Sequence, residues 1–214
     1  MALKVNNIYP GVLEPDTTVG GCIDIFENAW PNPEQTIAMV ESTVENGSSG
    51  VNWERAGTIG DGINQDARTN MAMNISYNAE YLDNAAMQNI HNQFYMMIMA
   101  SLIPYAGRYD IHDSLFPEDF QMLKYSGGQQ YKPHSDGGTS FVPRQVTAIC
   151  YLNDNYEGGE LEFPYFGIKL KPEKGMLVLF PSNFAYAHAA LPVTEGIKYS
   201  LVTWMRDKND NQQF

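Results

Sequence analysis

Two cysteines among 214 residues are too few for a disulfide framework or a thiolate metal site. Cys22 and Cys150 both fall in apolar, strand-like runs, where a reduced thiol behaves as a small hydrophobe. Cations are scarce as well. The 13 Lys and Arg stand against 25 Asp and Glu, and the formal charge of -12 repels a nucleic-acid backbone from most of the surface. The expectation is no nucleic-acid partner. Long hydrophobic runs are missing too: the start, M-A-L-K-V-N-N-I-Y-P, lacks the apolar core of a signal peptide, and the longest apolar run, 94–103, is too short and interrupted to span a bilayer. A soluble, cytoplasmic protein with no membrane partner is predicted, and the length suits one domain over residues 1–214.

Histidine is also sparse, with only His91, His112, His134 and His188. The chain is organised around residues 125–136, Y-S-G-G-Q-Q-Y-K-P-H-S-D. On an extended backbone His134 and Asp136, two residues apart, point to the same face, so an imidazole and a carboxylate converge on one cation. The alternative is a polar pair ending a surface strand. A third ligand must come from elsewhere, and His188 lies in the alternating segment A-Y-A-H-A-A-L-P-V, which reads as a strand. Two histidines and one carboxylate leave three positions open on Fe(II), the arrangement of oxygen-activating non-haem iron sites.

Taken in order, the chain begins with an irregular lead-in over 1–18 and a strand near 21–26. A helix follows from Pro33 to about Val44, with Asn32 placed to cap it and Gly47 to end it. Residues 48–62 read as loop, 68–76 as a half-buried strand, and 78–103 as one long core-packing helix stopped by Pro104. His91 on that helix is expected to have no chemical role, and Met96, Met97 and Met99 to pack in the core. From 118 the character changes. Runs at 120–125, 129–132, 145–152, 160–163, 168–170, 176–180, 187–193 and 198–205 alternate with Gly, Pro and Asn turns, which predicts a sandwich or barrel. Helices gathered first and strands gathered last make the fold α+β, with helices on one face of the β core.

On the last strand Lys198, Ser200, Val202 and Trp204 share one face. A buried ammonium needs an anionic partner, and Lys198 sits on the strand after His188, deep enough to hold the far carboxylate of a small dianion whose other end chelates the metal. The alternative is a solvated lysine at a strand edge.

Six segments then carry a resemblance: D-A-R-T-N at 66–70, the 125–136 stretch, R-Q-V-T-A-I-C-Y-L-N-D at 144–154, Y-E-G-G-E-L-E-F at 156–163, K-P-E-K-G at 171–175 and H-A-A-L-P-V-T-E-G-I-K-Y-S-L-V-T-W at 188–204. Over about residues 66–204 the chain resembles the 2-oxoglutarate- and Fe(II)-dependent oxygenases, and within them the prolyl 4-hydroxylases. The resemblance implies a double-stranded β-helix, a cupin-like jelly roll, with its core at about 118–206. It implies iron held by His134, Asp136 and His188, and 2-oxoglutarate held by Lys198 and Tyr125 in a pocket lined by Thr147 and Trp204. Tyr131 and Arg144 would contact a proline-containing peptide or protein substrate. The reaction implied consumes O2 and 2-oxoglutarate, hydroxylates an aliphatic carbon such as C4 of peptidyl proline, and releases succinate and CO2, with ascorbate as an accessory reductant. Hydroxylation of a free amino acid or other small molecule is the enzymatic alternative, and a non-catalytic barrel that binds a peptide or small acid the other. The Gly-rich 48–65 segment reads either as a lid over the mouth or as a plain surface loop.

Overall fold

A computed structural model describes residues 11–47, 50–58, 62–111, 115–137 and 143–207. The N-terminal part holds strands β1 (Thr17–Val19) and β2 (Ile23–Phe26), helix α1 (Pro33–Glu45), strands β3 (Glu54–Arg55) and β4 (Met71–Asn74), and helices α2 (Ile75–Glu80) and α3 (Ala85–Arg108). Strands β5 (Leu115–Pro117), β6 (Gln121–Ser126), β7 (Tyr131–His134), β8 (Arg144–Tyr151) and β9 (Glu157–Gly158) follow. The chain continues with β10 (Leu161–Phe163), β11 (Ile168–Leu170), β12 (Leu177–Pro181), β13 (His188–Ala190), β14 (Val193–Glu195) and β15 (Ile197–Asp207).

Most of these strands join one large antiparallel sheet in the order β1-β2-β12-β8-β15-β6-β4-β3, with β5 also paired to β15. A second sheet runs β11-β10-β13-β7, and β14 pairs with β9. The period of two along the strands assigns the faces. Tyr199, Leu201 and Met205 of β15, with Val146, Ala148 and Cys150 of β8, enter the core shared with the helices. Val178 and Phe180 of β12 instead pack on Leu161 and Phe163 of the small sheet. Leu123, Tyr125, Val202 and Trp204 pack with Tyr156 and Val193. The large sheet is thus buried on both sides, by helices on one and by the small sheet on the other.

The helices depart from the expectation in two places. The predicted helix over 78–103 is two helices, because the Asn84 side chain accepts from the amides of Ala86 and Met87 and so starts α3, while Asp83 adopts φ 47 just before it. The strand expected over 68–76 ends at Asn74, whose side chain caps α2 through the Tyr77 amide. Pro104 does not stop α3, which runs on to Arg108. Proline lacks the N–H that would reach the Ala100 carbonyl one turn back, and the Leu13 amide donates to that carbonyl instead at 2.9 Å. A donor from outside the helix therefore removes part of the cost of an interior proline.

Smaller differences follow from turns. Cys22 lies in the β1–β2 turn and is only partly buried, whereas Cys150 is buried in β8, and both are free thiols. Asn32 caps α1 without a side-chain hydrogen bond. The run 187–193 divides into β13 and β14, and the 48–62 loop contains β3. Within the lid candidate at 48–65, residues 48, 49 and 59–61 lie outside the described residues, as does His112. Among the described residues no helix is long and apolar enough to cross a membrane.

Candidate metal centre and its two cavities

Register brings the two histidines together. Strands β7 and β13 pair antiparallel with His134 and His188 as direct partners, although 53 residues lie between them in sequence. Their ring centroids are 4.4 Å apart. Asp136 is not on the strand as expected but in the bend just beyond β7, held by the Gly137 amide donating to the Ser182 carbonyl at 2.8 Å. Gly137 is required there, since a Cβ would stand 2.6 Å from the Arg144 carbonyl oxygen.

The three side chains offer ligand atoms that all lie within 4.8 Å of one another. His134 Nε2 stands 3.4 Å from Asp136 Oδ1, and His188 Nε2 stands 3.4 Å from Oδ2. With metal–ligand bonds of about 2.1 Å, ligands at right angles lie about 3 Å apart, so one ion fits this spacing. Each histidine also bonds through Nδ1 to a carbonyl two residues back, His134 to Lys132 at 2.8 Å and His188 to Tyr186 at 3.2 Å. That contact favours the tautomer with the proton on Nδ1 and the lone pair on Nε2, facing the carboxylate.

Electrostatics suit a cation. Burial lowers the His188 pKa to about 4, against the opposing pull of Asp136, so its imidazole is neutral and able to ligate at pH 7. Burial pushes the Asp136 carboxyl up, but His188, His134 and the Thr147 hydroxyl together outweigh it and hold the group well below the usual carboxylate range. The carboxylate is ionised and almost wholly desolvated, with 6% of its surface exposed.

Thr147, expected to line the cosubstrate pocket, is not in its wall. Its hydroxyl donates to Asp136 Oδ2 at 2.7 Å and contacts Ser182 Oγ at 2.8 Å, so it orients the carboxylate from behind. Outer partners of this kind typically change metal affinity by about 10- to 100-fold. We expect Thr147→Val to weaken iron binding by about that factor with little change in melting temperature, as read by metal titration and thermal denaturation.

Two cavities meet at the cluster. The inner one, about 40 Å³, is walled by Tyr125, Tyr151, Lys198, Ser200 and Trp204 together with the three candidate ligands. Lys198 is 2% exposed, not a solvated edge lysine. Its ammonium donates to the Gly159 carbonyl and lies 5.4 and 5.0 Å from the ring centroids of Tyr125 and Tyr151. No carboxylate lies within ion-pair distance of it among the described residues, and burial lowers its pKa to about 7, only partly opposed by Glu160. A buried cation of this kind is most stable with an anion in the cavity. Burial likewise raises the Tyr125 phenol to about 12, so it is a neutral hydroxyl available as a donor.

The outer cavity, about 530 Å³, opens over His134 and Asp136 and includes Arg68, Tyr131, Arg144 and Trp204 in its wall. Tyr131 stacks on His134 with centroids 3.4 Å apart. Arg144 donates to Glu118 Oε2 from both Nε and Nη2, at 3.0 and 2.7 Å, and its guanidinium lies 3.8 Å from the Trp204 ring. Among the described residues the Trp204 indole N–H has no hydrogen-bond partner, although the residue is only 7% exposed. Arg68 is a wall residue for which the sequence predicts no individual role. It belongs to the D-A-R-T-N segment, whose backbone runs along β7: the Lys132 amide donates to the Ala67 carbonyl at 2.9 Å and the Thr69 amide to the Gln130 carbonyl at 3.0 Å. That edge contact exists only in the folded chain, so nothing in the polar run itself singles Arg68 out.

Residues 120–206 match the family described as the 2OG-Fe(II) oxygenase superfamily. Among curated proteins the chain is similar to a probable prolyl 4-hydroxylase 9 of Arabidopsis thaliana, 32% identical over 123 residues, covering 44% of this chain and 43% of that protein. It is also 33% identical over 108 residues to the prolyl 4-hydroxylase subunit alpha-1 of Gallus gallus, covering 42% of this chain and 21% of that one. The chain thus spans less than half the length of these relatives. Among solved structures it resembles a prolyl hydroxylase in complex with a hypoxia inducible factor oxygen degradation domain peptide fragment from Trichoplax adhaerens, with TM-score 0.74, 19% identity, and coverage of 90% of this chain and 88% of that one. A Pseudomonas putida prolyl-4-hydroxylase gives TM-score 0.60 at 21% identity, covering 87% and 92%. The fold is therefore the jelly roll of the superfamily, a double-stranded β-helix with helices on one face. The superfamily's Fe(II) and 2-oxoglutarate fit what the site offers: a His-Asp-His donor set at the junction of the cavities, and an unpaired buried lysine at the end of the inner one.

Proposed function

We propose that the chain is a 2-oxoglutarate- and Fe(II)-dependent dioxygenase that hydroxylates peptidyl proline, with C4 as the favoured carbon. The observation that carries this reading is the His134–Asp136–His188 cluster lying between an inner cavity ended by Lys198 and an outer one open to a chain. Bound together, iron and 2-oxoglutarate supply the oxidation: 2-oxoglutarate loses CO2 and becomes succinate, taking one oxygen atom of O2 while the other enters the substrate C–H bond. The chain's own residues do the rest. Lys198 and the Tyr125 hydroxyl hold the far carboxylate, Thr147 fixes Asp136, and apolar walls from Leu161, Ile149 and Val202 keep water from the inner cavity. The volume of the outer cavity suits a segment of extended polypeptide better than one amino acid. Prolyl hydroxylases among the relatives support the choice of proline, and the two free thiols suit a cytoplasmic setting. We take the chain as one catalytic domain, since its three hydrophobic clusters share the strands of one large sheet.

Incubation with iron, 2-oxoglutarate and proline-rich peptides should give succinate and a peptide heavier by one oxygen atom by mass spectrometry. Succinate without any peptide gaining oxygen would move the reading to a small-molecule substrate, and no succinate at all would leave a binding module. For Arg144, placed beside Tyr131 over the ligands, alanine substitution is expected to lower the ratio of peptide hydroxylation to uncoupled succinate by about tenfold. Equal loss of both activities would instead assign Arg144 to holding Glu118 and Trp204 in place.

A further inference from the structure

The chain carries only five arginines and a net charge of -12, yet Arg55, Arg68 and Arg144 all line the outer cavity. The acidic side chains in that wall are Glu54 and Asp136, and Asp136 belongs to the metal cluster. Arg144 is paired with Glu118. Arg55 is exposed at the rim, and neither it nor Arg68 makes an ion pair among the described residues. Arg68 is 7% exposed; among the described residues its hydrogen bonds go only to neutral acceptors, Nε donating to Asn70 Oδ1 and Nη1 to the Gly57 carbonyl, each at 2.9 Å, and its guanidinium lies 4.7 Å from the Tyr131 ring centroid. A guanidinium has five N–H donors, and nothing among the described residues bonds to Nη2. The two neutral bonds fix the plane of the fork. They do not neutralise it, so a desolvated cation with spare, oriented donors faces the space above the metal cluster, next to the unpartnered indole N–H of Trp204.

We propose that Arg68 is a specificity-determining residue that receives a carboxylate of the substrate, and that the substrate is an acidic peptide with Asp or Glu close to the hydroxylated residue. This rests on reading the outer cavity as the substrate mouth. Arg68 is placed to accept the carboxylate nearest the iron, and Arg55, further out, extends the same preference along the chain. A single small acid would use one of these cations and leave the other idle, whereas carboxylates spaced along a peptide use both. Two arginines without ion pairs in the mouth of an otherwise acidic molecule also select by repulsion: an acidic peptide is held off the general surface and attracted here.

The test uses three labelled proline peptides that are identical except for the flanking positions, which are Asp, Asn or Lys. Anisotropy is measured on the metal-free chain, and hydroxylation on the chain with iron and 2-oxoglutarate. The Asp peptide is expected to bind about tenfold more tightly than its Asn twin, with Lys weakest, and the preference should shrink as salt rises. Arg68→Gln should bring the Asp/Asn ratio close to one, and Arg55→Glu should reduce it about two- to threefold. Because Arg68 also ties Gly57 to Asn70, the Arg55→Glu variant and the peptide series carry the test if Arg68→Gln fails to fold. Equal binding of the three peptides, unchanged discrimination in both variants, or tighter binding of free proline than of any peptide overturns the proposal. So does a fall in 2-oxoglutarate affinity in Arg68→Gln with peptide discrimination intact. Iron and 2-oxoglutarate titrations on the same sample separate the two levels: if both bind and no peptide does, the carboxylate pocket is wrong, and if neither binds, the dioxygenase reading is.

Discussion

Alanine in place of His188 should abolish tight iron binding and turnover together while leaving a folded protein. Losing an outer partner of a metal ligand costs about 10- to 100-fold in affinity, and losing one of three ligands exceeds that, so a drop of more than about two orders of magnitude is expected. The register explains why no neighbour replaces it. His188 faces His134 across a two-strand pair, and the ring is enclosed by Phe163 and Phe180 at 5.9 and 4.7 Å. No other histidine, cysteine or carboxylate joins the cluster among the described residues. Metal stoichiometry, succinate release and the melting temperature are measured on one preparation. His91→Ala is the control: that ring packs on Phe120 at 4.8 Å on α3, within the helical layer, and turnover should stay near wild type. Retention of full activity by His188→Ala would remove it from the site.

Replacement of Lys198 should have opposite effects on binding and on stability. Deleting one partner of a buried ion pair costs on the order of 3 to 5 kcal/mol, so Lys198→Ala is expected to weaken 2-oxoglutarate by roughly two to three orders of magnitude. Burial holds the Lys198 ammonium near pKa 7, far below the 10.5 of an exposed lysine. Such a depressed base destabilises the fold by an amount that is fully present below pH 7 and fades as pH rises toward the unfolded value. Lys198→Met removes that burden, and at neutral pH its melting temperature should rise by several degrees, a gain of order a few kcal/mol, as cosubstrate binding is lost. The same shift sets a pH dependence for the wild type. Below about pH 7 the lysine is already protonated and 2-oxoglutarate affinity is flat, whereas above it each dianion bound requires uptake of a proton, and the apparent dissociation constant should climb by up to about tenfold per pH unit. A pH-independent affinity between 6 and 9 would show that Lys198 is charged throughout and that the burial penalty is met by another group.

The strand-rich half was legible in sequence because its signal is local. Alternation along β6, β8, β12 and β15 reports two buried faces, and the turns between them are marked by Gly, Pro and Asn. His134 and His188 could be proposed as partners because so few histidines exist, and Lys198 because of the face it shares with Trp204. What could not be read depends on atoms distant in sequence. Pro104 stops a helix by its own chemistry, and only the Leu13 amide, 91 residues away, lets α3 continue. Thr147 looks like any inward residue of β8 until the bend at Asp136 brings a carboxylate to its hydroxyl. Arg68 precedes a short strand in an unremarkable polar run, and its burial follows from tertiary contacts with Gly57, Asn70 and Tyr131.

The backbone of the D-A-R-T-N segment lies along β7, the outermost strand of the small sheet. An open sheet edge displays unpaired amides and carbonyls and is a template for joining a second molecule edge to edge. Ala67 and Thr69 occupy positions on that edge, with the Thr69 hydroxyl also accepting from the Gln130 amide at 2.8 Å. The segment that carries Arg68 thus covers part of that edge with its own main chain. Loosening it, by proline or by deletion between 66 and 70, would expose β7 and favour aggregation whatever its effect on the mouth. A substitution in this segment therefore acts on the sheet edge as well as on the wall of the outer cavity.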